Sequence, residues 1–149
     1  MLGRLAKWLR IIGYDTIFKA DVDDAGLVDI AGAESRIILT RDTGLAGRLA
    51  ASGCLLIGDS DPFSQLRQVV SELGLAITED ALLTRCTVCN VSLEEASKES
   101  VRGLVPDYVF GANGSFTKCP SCGRVYWTGT HRARIIAKLQ SLGLEVKRT

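Results

Sequence analysis

Residues 36–62 have the sequence RIILTRDTGLAGRLAASGCLLIGDSDP, in which two short apolar runs flank a segment of mixed character. The run at 36–40 is rich in β-branched residues and predicts a buried strand, and the run at 54–57 predicts another. Residues 43–52 between them predict a helix that stops at Gly53. Strand, helix and strand in this order indicate a parallel sheet with flanking helices, and therefore an α/β fold.

The segments on either side continue this alternation. Residues 2–12 predict an amphipathic helix that ends at Gly13. Its apolar face consists of Leu2, Leu5, Leu9 and Ile12, and its basic stripe of Arg4, Lys7 and Arg10. A short strand is predicted at 16–18, and a helix capped by Asp24 is predicted to run to about residue 34. Another helix is predicted from Asp61 to about Leu73, since proline is tolerated in a first turn.

Four of the five cysteines form two Cys-x-x-Cys pairs, Cys86 with Cys89 and Cys119 with Cys122. Two residues between cysteines let both sulfurs turn toward one ion, and two such pairs complete the closed tetrahedral shell of a structural zinc site. Gly123 permits the tight turn that such a pair needs. Two disulfides or a redox pair are the alternative. Cys54 lies in an apolar run and is predicted to be a buried core residue.

The region between and after the cysteine pairs predicts a small zinc ribbon followed by a helix. Asn113-Gly114 lies between the apolar runs 108–110 and 116–117, which predicts a hairpin. A last helix is predicted from about residue 130 to 142, with Gly143 as its end. Its inward residues are Ile135, Ile136, Leu139 and Leu142. A ribbon of this size buries little surface, so zinc is expected to supply its folding free energy.

Charge is distributed unevenly. Residues 1–81 hold eight basic and twelve acidic residues, a net of −4, whereas residues 116–149 hold seven basic residues and one Glu, a net of +6. This pattern fits an enzyme that binds metal in one place and a polyanion in another, and the alternative is a solvated basic helix. No apolar run reaches the roughly 20 residues of a membrane span, and the start has no signal-peptide pattern. We therefore expect a cytoplasmic protein without a membrane partner.

Acidic residues follow three predicted strands at their C-terminal ends. They are Asp21, Asp23 and Asp24 after 16–18, Asp42 after 36–40, and Asp59 after 54–57. Because the C-terminal ends of parallel strands meet at one edge of a sheet, these carboxylates are expected to converge. Clustered carboxylates favour Mg²⁺ or Mn²⁺, which activate water and stabilise a phosphodiester transition state. Each acid also precedes a predicted helix, so capping is the alternative for any one of them.

Several motifs occur in order along the chain. They are Leu2-Gly3-Arg4-Leu5-Ala6-Lys7-Trp8-Leu9-Arg10, Gly13-Tyr14-Asp15-Thr16, Leu39-Thr40-Arg41-Asp42, the two cysteine pairs, and Tyr126-Trp127-x-Gly129-Thr130-His131. Together they resemble the Mut-seven C-terminal RNase domain family over essentially the whole chain. The resemblance implies a PIN-like nuclease domain followed by a zinc ribbon. That family usually begins with a strand ending in Asp, and this first strand is missing here. We expect it upstream in the natural product; the alternative is that the protein has lost the strand and with it a metal ligand of the nuclease.

The resemblance implies metal-dependent cleavage of RNA. By position, Asp42 of the Thr-Arg-Asp motif resembles a metal-binding acid, and Asp24 with Asp21 or Asp23 resembles another. Arg41 is expected to contact phosphate, or else to be a solvated loop residue. Further RNA contacts are expected from basic residues near the end, because phosphate contacts dominate affinity. These are Arg124, Arg132, Arg134 and Lys138.

The aromatic residues and the single histidine allow two interpretations each. Phe116, Tyr126 and Trp127 could stack on bases of single-stranded RNA, or form a small core between ribbon and sheet. His131 could bind phosphate or transfer a proton, or it could cap the helix or pack on Trp127.

The sequence thus predicts two domains, a PIN-like domain at 1–81 and a zinc ribbon with a basic C-terminal helix at 82–149. The predicted function is a Mg²⁺- or Mn²⁺-dependent ribonuclease with a structural zinc ion. A non-catalytic RNA-binding protein is the alternative, and a protein-interaction adaptor is a third interpretation. No protein partner is identified by the sequence.

Overall fold

A computed structural model of the chain describes residues 2–49, 53–127 and 129–148. The chain forms two compact units: the first contains residues 1–5 and 18–74, and the second contains residues 6–17 and 75–149. Helix α1 (Gly3–Ile11) begins in the first unit and continues in the second. The boundary at residue 81 stays a prediction, because a domain is defined by independent folding and a unit only by packing.

The first unit contains the predicted parallel sheet. Its elements are α2 (Asp24–Glu34), β1 (Ile38–Thr40), α3 (Thr43–Leu49), β2 (Cys54–Leu56) and α4 (Pro62–Leu73). β1 and β2 pair in parallel, with Ile38 opposite Cys54 and Thr40 opposite Leu56. This confirms the α/β fold with flanking helices. The predicted end of α3 at residues 50–52 lies outside the described residues, and Cys54 is half-buried rather than buried.

Capping side chains decide where two helices of this unit begin. The carboxylate of Asp61 accepts from the N–H of Ser64 at 3.0 Å and starts α4, as predicted. In α2 the cap is Asp23, which accepts from the N–H of Gly26 at 2.8 Å, and not Asp24 as predicted. Asp24 is instead the first residue of the helix, where its negative charge suits the helix dipole.

The strand predicted at 16–18 is wrong. The N–H of Thr16 donates to the side chain of Asn90 at 2.9 Å, and its carbonyl accepts from Arg10 at 2.8 Å. Side chains therefore satisfy the backbone groups that a strand would offer to a neighbour. Ile17 and Phe18 are exposed.

The second unit contains an antiparallel sheet of three short strands, β3 (Glu94–Ala96), β4 (Phe116–Lys118) and β5 (Val125–Trp127), in that order. Phe116 lies opposite both Ala96 and Trp127. Two 3₁₀ turns, at Glu79–Ala81 and Glu99–Val101, lie outside the sheet. The last helix, α6 (His131–Ser141), confirms the prediction and buries Ile135 and Leu139. Among the described residues, none of the helices has the length and apolarity needed to cross a membrane.

The hairpin predicted around Asn113-Gly114 is wrong. Residues Asp107–Ala112 form helix α5, and β4 pairs with β5 through the loop that holds the second cysteine pair. The side chain of Asn113 donates to the carbonyl of Val109 at 2.9 Å and so closes α5. Val109 packs with Phe116 in a buried cluster, and this packing favours the helix over an extended run.

Candidate functional site

The four cysteines of the two pairs lie together in the second unit. All four sulfur atoms lie within 4.8 Å of one another, and Cys86 Sγ is 3.7 Å from Cys122 Sγ. A tetrahedral zinc–thiolate site, with bonds of about 2.3 Å, places its sulfurs about 3.8 Å apart. None of the four forms a disulfide. The cluster is therefore able to hold a metal ion, as the spacing predicted.

The two cysteine pairs form turns with the same backbone hydrogen bonds. The first cysteine of each pair donates its N–H to the carbonyl five residues on, Cys86 to Val91 and Cys119 to Arg124, both at 2.9 Å. Its carbonyl accepts from the residue four positions on, which is Asn90 at 2.9 Å or Gly123 at 3.0 Å. Each turn also directs the N–H of its second cysteine at the sulfur of its first, at 3.4 Å.

Both turns need a residue with positive φ directly after the second cysteine. Gly123 has a φ of 79°, as expected for its predicted role. Asn90 has a φ of 67° and takes the same position in the first turn, which the sequence analysis missed. The signal was present, because Asn is the non-glycine residue that tolerates this conformation best and it follows Cys89 as Gly123 follows Cys122.

Tyr126 stabilises the thiolate of Cys86. Its hydroxyl accepts from the N–H of Thr87 at 3.1 Å and donates to Cys86 Sγ at 3.3 Å. Burial raises the pKa of the Cys86 thiol, but hydrogen bonds from Tyr126 and from the backbone of Cys89 and Val88 bring this pKa to about 6. A thiolate is therefore available for a metal at neutral pH.

Arg10 extends from α1 to the first cysteine turn. Its side chain is buried, donates to the carbonyl of Thr16, and reaches the carbonyls of Thr87 at 2.8 Å and Val88 at 3.2 Å. Arg10 therefore differs from Arg4 and Lys7, the other two residues of the predicted basic stripe, which are exposed. Only a contact between residues 77 positions apart reveals its role.

The charge of Arg10 complements that of the cysteine cluster. Burial lowers the pKa of Arg10, while the nearby Cys86, Cys89 and Asp15 act in the opposite direction. Four thiolates around one divalent ion leave a net charge of about −2, and a nearby cation offsets it. Arg10 thus belongs to the outer environment of the metal site.

The predicted catalytic acids are exposed and lie in the first unit. Asp42 follows β1, and its Oδ1 accepts from the N–H groups of Gly44 at 2.8 Å and Leu45 at 3.1 Å. Asp24 forms an ion pair of 3.3 Å with Arg48. Asp23 caps α2, and Asp21 lies in the loop before it. The local capping roles considered from sequence are thus present for Asp23 and Asp42.

These acids do not assemble as the cysteines do. Across residues 2–49, 53–127 and 129–148, no group of three or more acidic side chains comes close enough to hold one ion. A cap uses one carboxylate oxygen, however, and leaves the other free to accept or to ligate. The catalytic assignment of Asp21, Asp23, Asp24 and Asp42 stays a prediction.

The predicted RNA-binding residues occupy different environments. Arg124, His131 and Arg134 are exposed, and Lys138 is half-buried. Arg132 donates to the carbonyl of Glu79 at 2.6 Å, which joins the start of α6 to the first 3₁₀ turn. Arg41 is half-buried in the first unit, directly after β1. Their contact with RNA stays a prediction.

The three aromatic residues have separate roles. Phe116 is buried in a cluster with Val101, Val105 and Val109, so it is a core residue and not a stacking platform. Trp127 packs on this cluster but is only partly buried. Tyr126 serves the cysteine site through its hydroxyl.

Comparison with known proteins agrees with the resemblance that the motifs indicated. No curated protein and no solved structure matches the chain. The family model described as the Mut7-C RNAse domain matches residues 1–139 of the 149. Membership implies a nuclease-like function, for which RNA is the substrate that the family name indicates. Because the match covers far more than half of its length, the chain belongs to the Mut7-C RNAse domain family.

Proposed function

We propose that this protein is a metal-dependent ribonuclease that cleaves RNA phosphodiesters with Mg²⁺ or Mn²⁺ held by carboxylates of a PIN-like domain. The observation that carries the proposal is the family match across residues 1–139. The parallel pairing of β1 and β2 supports it, because Asp42 and Asp59 then follow the C-terminal ends of adjacent strands. Ligands of open parallel sheets bind at that edge.

The acids of the first unit suit a hard cation. Mg²⁺ is commonly bound through one or two carboxylates, with water and substrate phosphates as its other ligands. Asp42 and Asp24, with Asp21 or Asp23, would hold it, and each of these side chains is exposed. Such an ion would lower the pKa of a bound water and offset charge on the phosphate. Arg41, directly after β1, would orient the phosphate.

We infer that the cysteine cluster holds zinc in a structural role. Four thiolates leave no open position for a substrate, which separates this site from the catalytic one. Free thiolates persist in a reducing compartment, and this supports a cytoplasmic location. Within the proposed division at residues 1–81 and 82–149, the second domain would hold RNA phosphates through Arg124, His131, Arg132, Arg134 and Lys138.

The sharpest test replaces Asp42 by Asn and measures cleavage of a labelled single-stranded RNA with Mn²⁺. Asn keeps an oxygen that can cap α3 but loses the negative charge, so the fold survives while metal binding fails. We expect cleavage to fall by at least roughly a hundredfold. Asp61→Asn is the matched control, because Asp61 caps α4 with the same kind of bond and is not among the predicted catalytic acids. Equal cleavage by both variants would exclude Asp42 as a catalytic acid.

The absence of a three-acid group among the described residues favours one other candidate, a non-catalytic RNA-binding protein. That function needs the basic residues and not the acids. Exposed Arg124 and Arg134 are the residues to replace by Ala, because Arg132 also supports the fold. Binding of RNA without cleavage by the unaltered protein, together with a reduced salt dependence in this double variant, would establish the alternative.

A further inference from the structure

The four cysteines of the metal cluster differ in how far solvent reaches them. Cys86 and Cys119, the first cysteine of each pair, are buried, with 0 % and 1 % of their surface exposed. Cys89 is half-buried, whereas Cys122 is exposed. A small reagent in solution therefore reaches Cys122 more readily than it reaches the other three.

The surroundings of Cys122 select the kind of reagent that can approach it. A cavity of about 720 Å³ in the second unit has Cys122 in its lining, together with strand β3 and the segment that follows this strand. Two carboxylates, of Glu94 and Glu95, and one ammonium group, of Lys118, are the charged groups of this lining. The excess of negative charge repels anionic reagents, while an uncharged one such as hydrogen peroxide is not repelled.

Cys86 is the partner with which an oxidised Cys122 can react. The Sγ atoms of these two residues lie 3.7 Å apart, and a disulfide requires about 2.0 Å. Cys86 belongs to the other cysteine turn, 36 positions away along the chain. A bond between these sulfurs would therefore join the two turns to each other and use one ligand from each.

We propose that Cys122 is the site at which a peroxide oxidises this protein, and that Cys86 converts the oxidised sulfur to a disulfide, with release of the zinc. The Cys122 thiolate attacks a peroxide oxygen. The S–O bond forms, the O–O bond breaks and hydroxide leaves, so the sulfur is oxidised to a sulfenic acid and the peroxide is reduced. The Cys86 thiolate then attacks this sulfur, the S–S bond forms and the S–O bond breaks. A second hydroxide leaves, and protons from the solvent convert both hydroxides to water.

The inference rests on the structural zinc inferred above and not on the cleavage of RNA. The disulfide removes two of the four thiolates, and the ribbon then loses the contribution of the metal to its folding free energy. Thiols can reduce the disulfide again, so the change is reversible. The cysteine cluster thus serves as a peroxide-sensitive switch of the second unit.

The test treats the zinc-loaded full chain with hydrogen peroxide and follows zinc release with a chromogenic chelator. The chain carries Cys54→Ser, which removes the cysteine that lies outside the cluster. Free thiols are then blocked with N-ethylmaleimide, and the disulfide is assigned by fragmentation of peptides in a mass spectrometer. We expect zinc to appear in step with a disulfide between Cys86 and Cys122.

Two variants separate oxidation at Cys122 from a general loss of zinc binding. Cys122→His keeps four zinc ligands but cannot form the sulfenic acid, since three cysteines and one histidine also hold structural zinc. Cys89→His makes the same change in the other turn and keeps both reacting sulfurs. We expect peroxide to release zinc from Cys122→His at least roughly tenfold more slowly than from Cys89→His.

Zinc retained after peroxide treatment, a disulfide between Cys119 and Cys122, or equal rates for the two histidine variants would overturn the proposal. The assignment of the disulfide uses a chain in which all four ligands are present, so it decides the matter even where a histidine variant fails to fold. Zinc content is measured before oxidation. A chain that binds no zinc would refute the structural metal itself, whereas a zinc-loaded chain that gives one of the contrary results would refute only the oxidation site.

Discussion

Arg10 donates hydrogen bonds to carbonyl groups of two separate segments, the one that contains Thr16 and the turn that contains Thr87 and Val88. A guanidinium has several donors in a fixed plane, so one side chain holds both segments at once, which an ammonium group does less well. The carbonyls it satisfies are partly buried, and each would lose its partner if the side chain were shortened. At the scale of one residue, the cysteine site therefore depends on a cation that is not a ligand.

We expect Arg10→Gln to lower the free energy of unfolding of the zinc-loaded protein by about 2–3 kcal/mol, because three partly buried carbonyls lose their donor. Urea denaturation followed by circular dichroism measures this change. Arg4→Gln is the control, since Arg4 is exposed on the same helix and its replacement should change the free energy by less than about 0.5 kcal/mol. Equal effects of the two substitutions would show that the hydrogen bonds of Arg10 do not contribute to stability.

The two cysteine turns are one structural element used twice. Each has the same backbone bonds and the same left-handed position, filled once by Asn90 and once by Gly123. The repetition explains why each pair directs both of its sulfurs to one side although the two sequences differ. At the scale of an element, each turn can form only if the residue at this position, Asn90 or Gly123, adopts a positive φ.

We expect Gly123→Ala to destabilise the zinc-loaded protein by roughly 1–2 kcal/mol, because the left-handed conformation is unfavourable for an alanine and not for a glycine. Steric conflict is not the cause, since the nearest atom to an added Cβ is Lys118 Cε at 3.9 Å. Gly123→Asn should cost clearly less, as Asn occupies the equivalent position in the first turn. Thermal unfolding of the two variants tests this, and an Asn variant as unstable as the Ala variant would contradict it.

The two units differ in what stabilises them. The second unit contains a ribbon of three short antiparallel strands and two cysteine turns, beside an apolar cluster around Phe116. Ribbons of this size generally need a metal or disulfides in addition to their core. In the first unit helices α2 and α3 contact the parallel strands, and the unit contains none of the four clustered cysteines.

Removal of the metal by a chelator should therefore unfold the second unit selectively. We expect the amides of residues 86–91 and 116–127 to lose their protection in hydrogen exchange, because metal binding supplies several kcal/mol of their folding free energy. The amides of β1 and β2 should keep theirs. Cys54→Ser serves as the control and should retain the metal, since Cys54 lies outside the cluster. Unchanged exchange at residues 86–91 would mean that the metal is not structural.

Local sequence rules were sufficient where neighbours along the chain set the structure. Asp61 and Pro62 fix the start of α4, the run at 38–40 forms β1, and the spacing within each cysteine pair directs two sulfurs to one side. In each case the deciding contact spans only a few residues. The metal cluster and the α/β class could therefore be predicted from the sequence alone.

Tertiary structure alone decided the features that depend on distant partners. The N–H of Thr16 donates to Asn90, 74 positions away, and so is not available for the strand that was predicted there. Val109 packs on Phe116, and this favours a helix where a hairpin was predicted. The burial of Arg10 likewise depends on distant partners, the carbonyls of Thr87 and Val88. A backbone N–H or an apolar face accepts any partner that packing brings near. Sequence spacing predicts which groups need partners, and only the folded chain determines which partners they have.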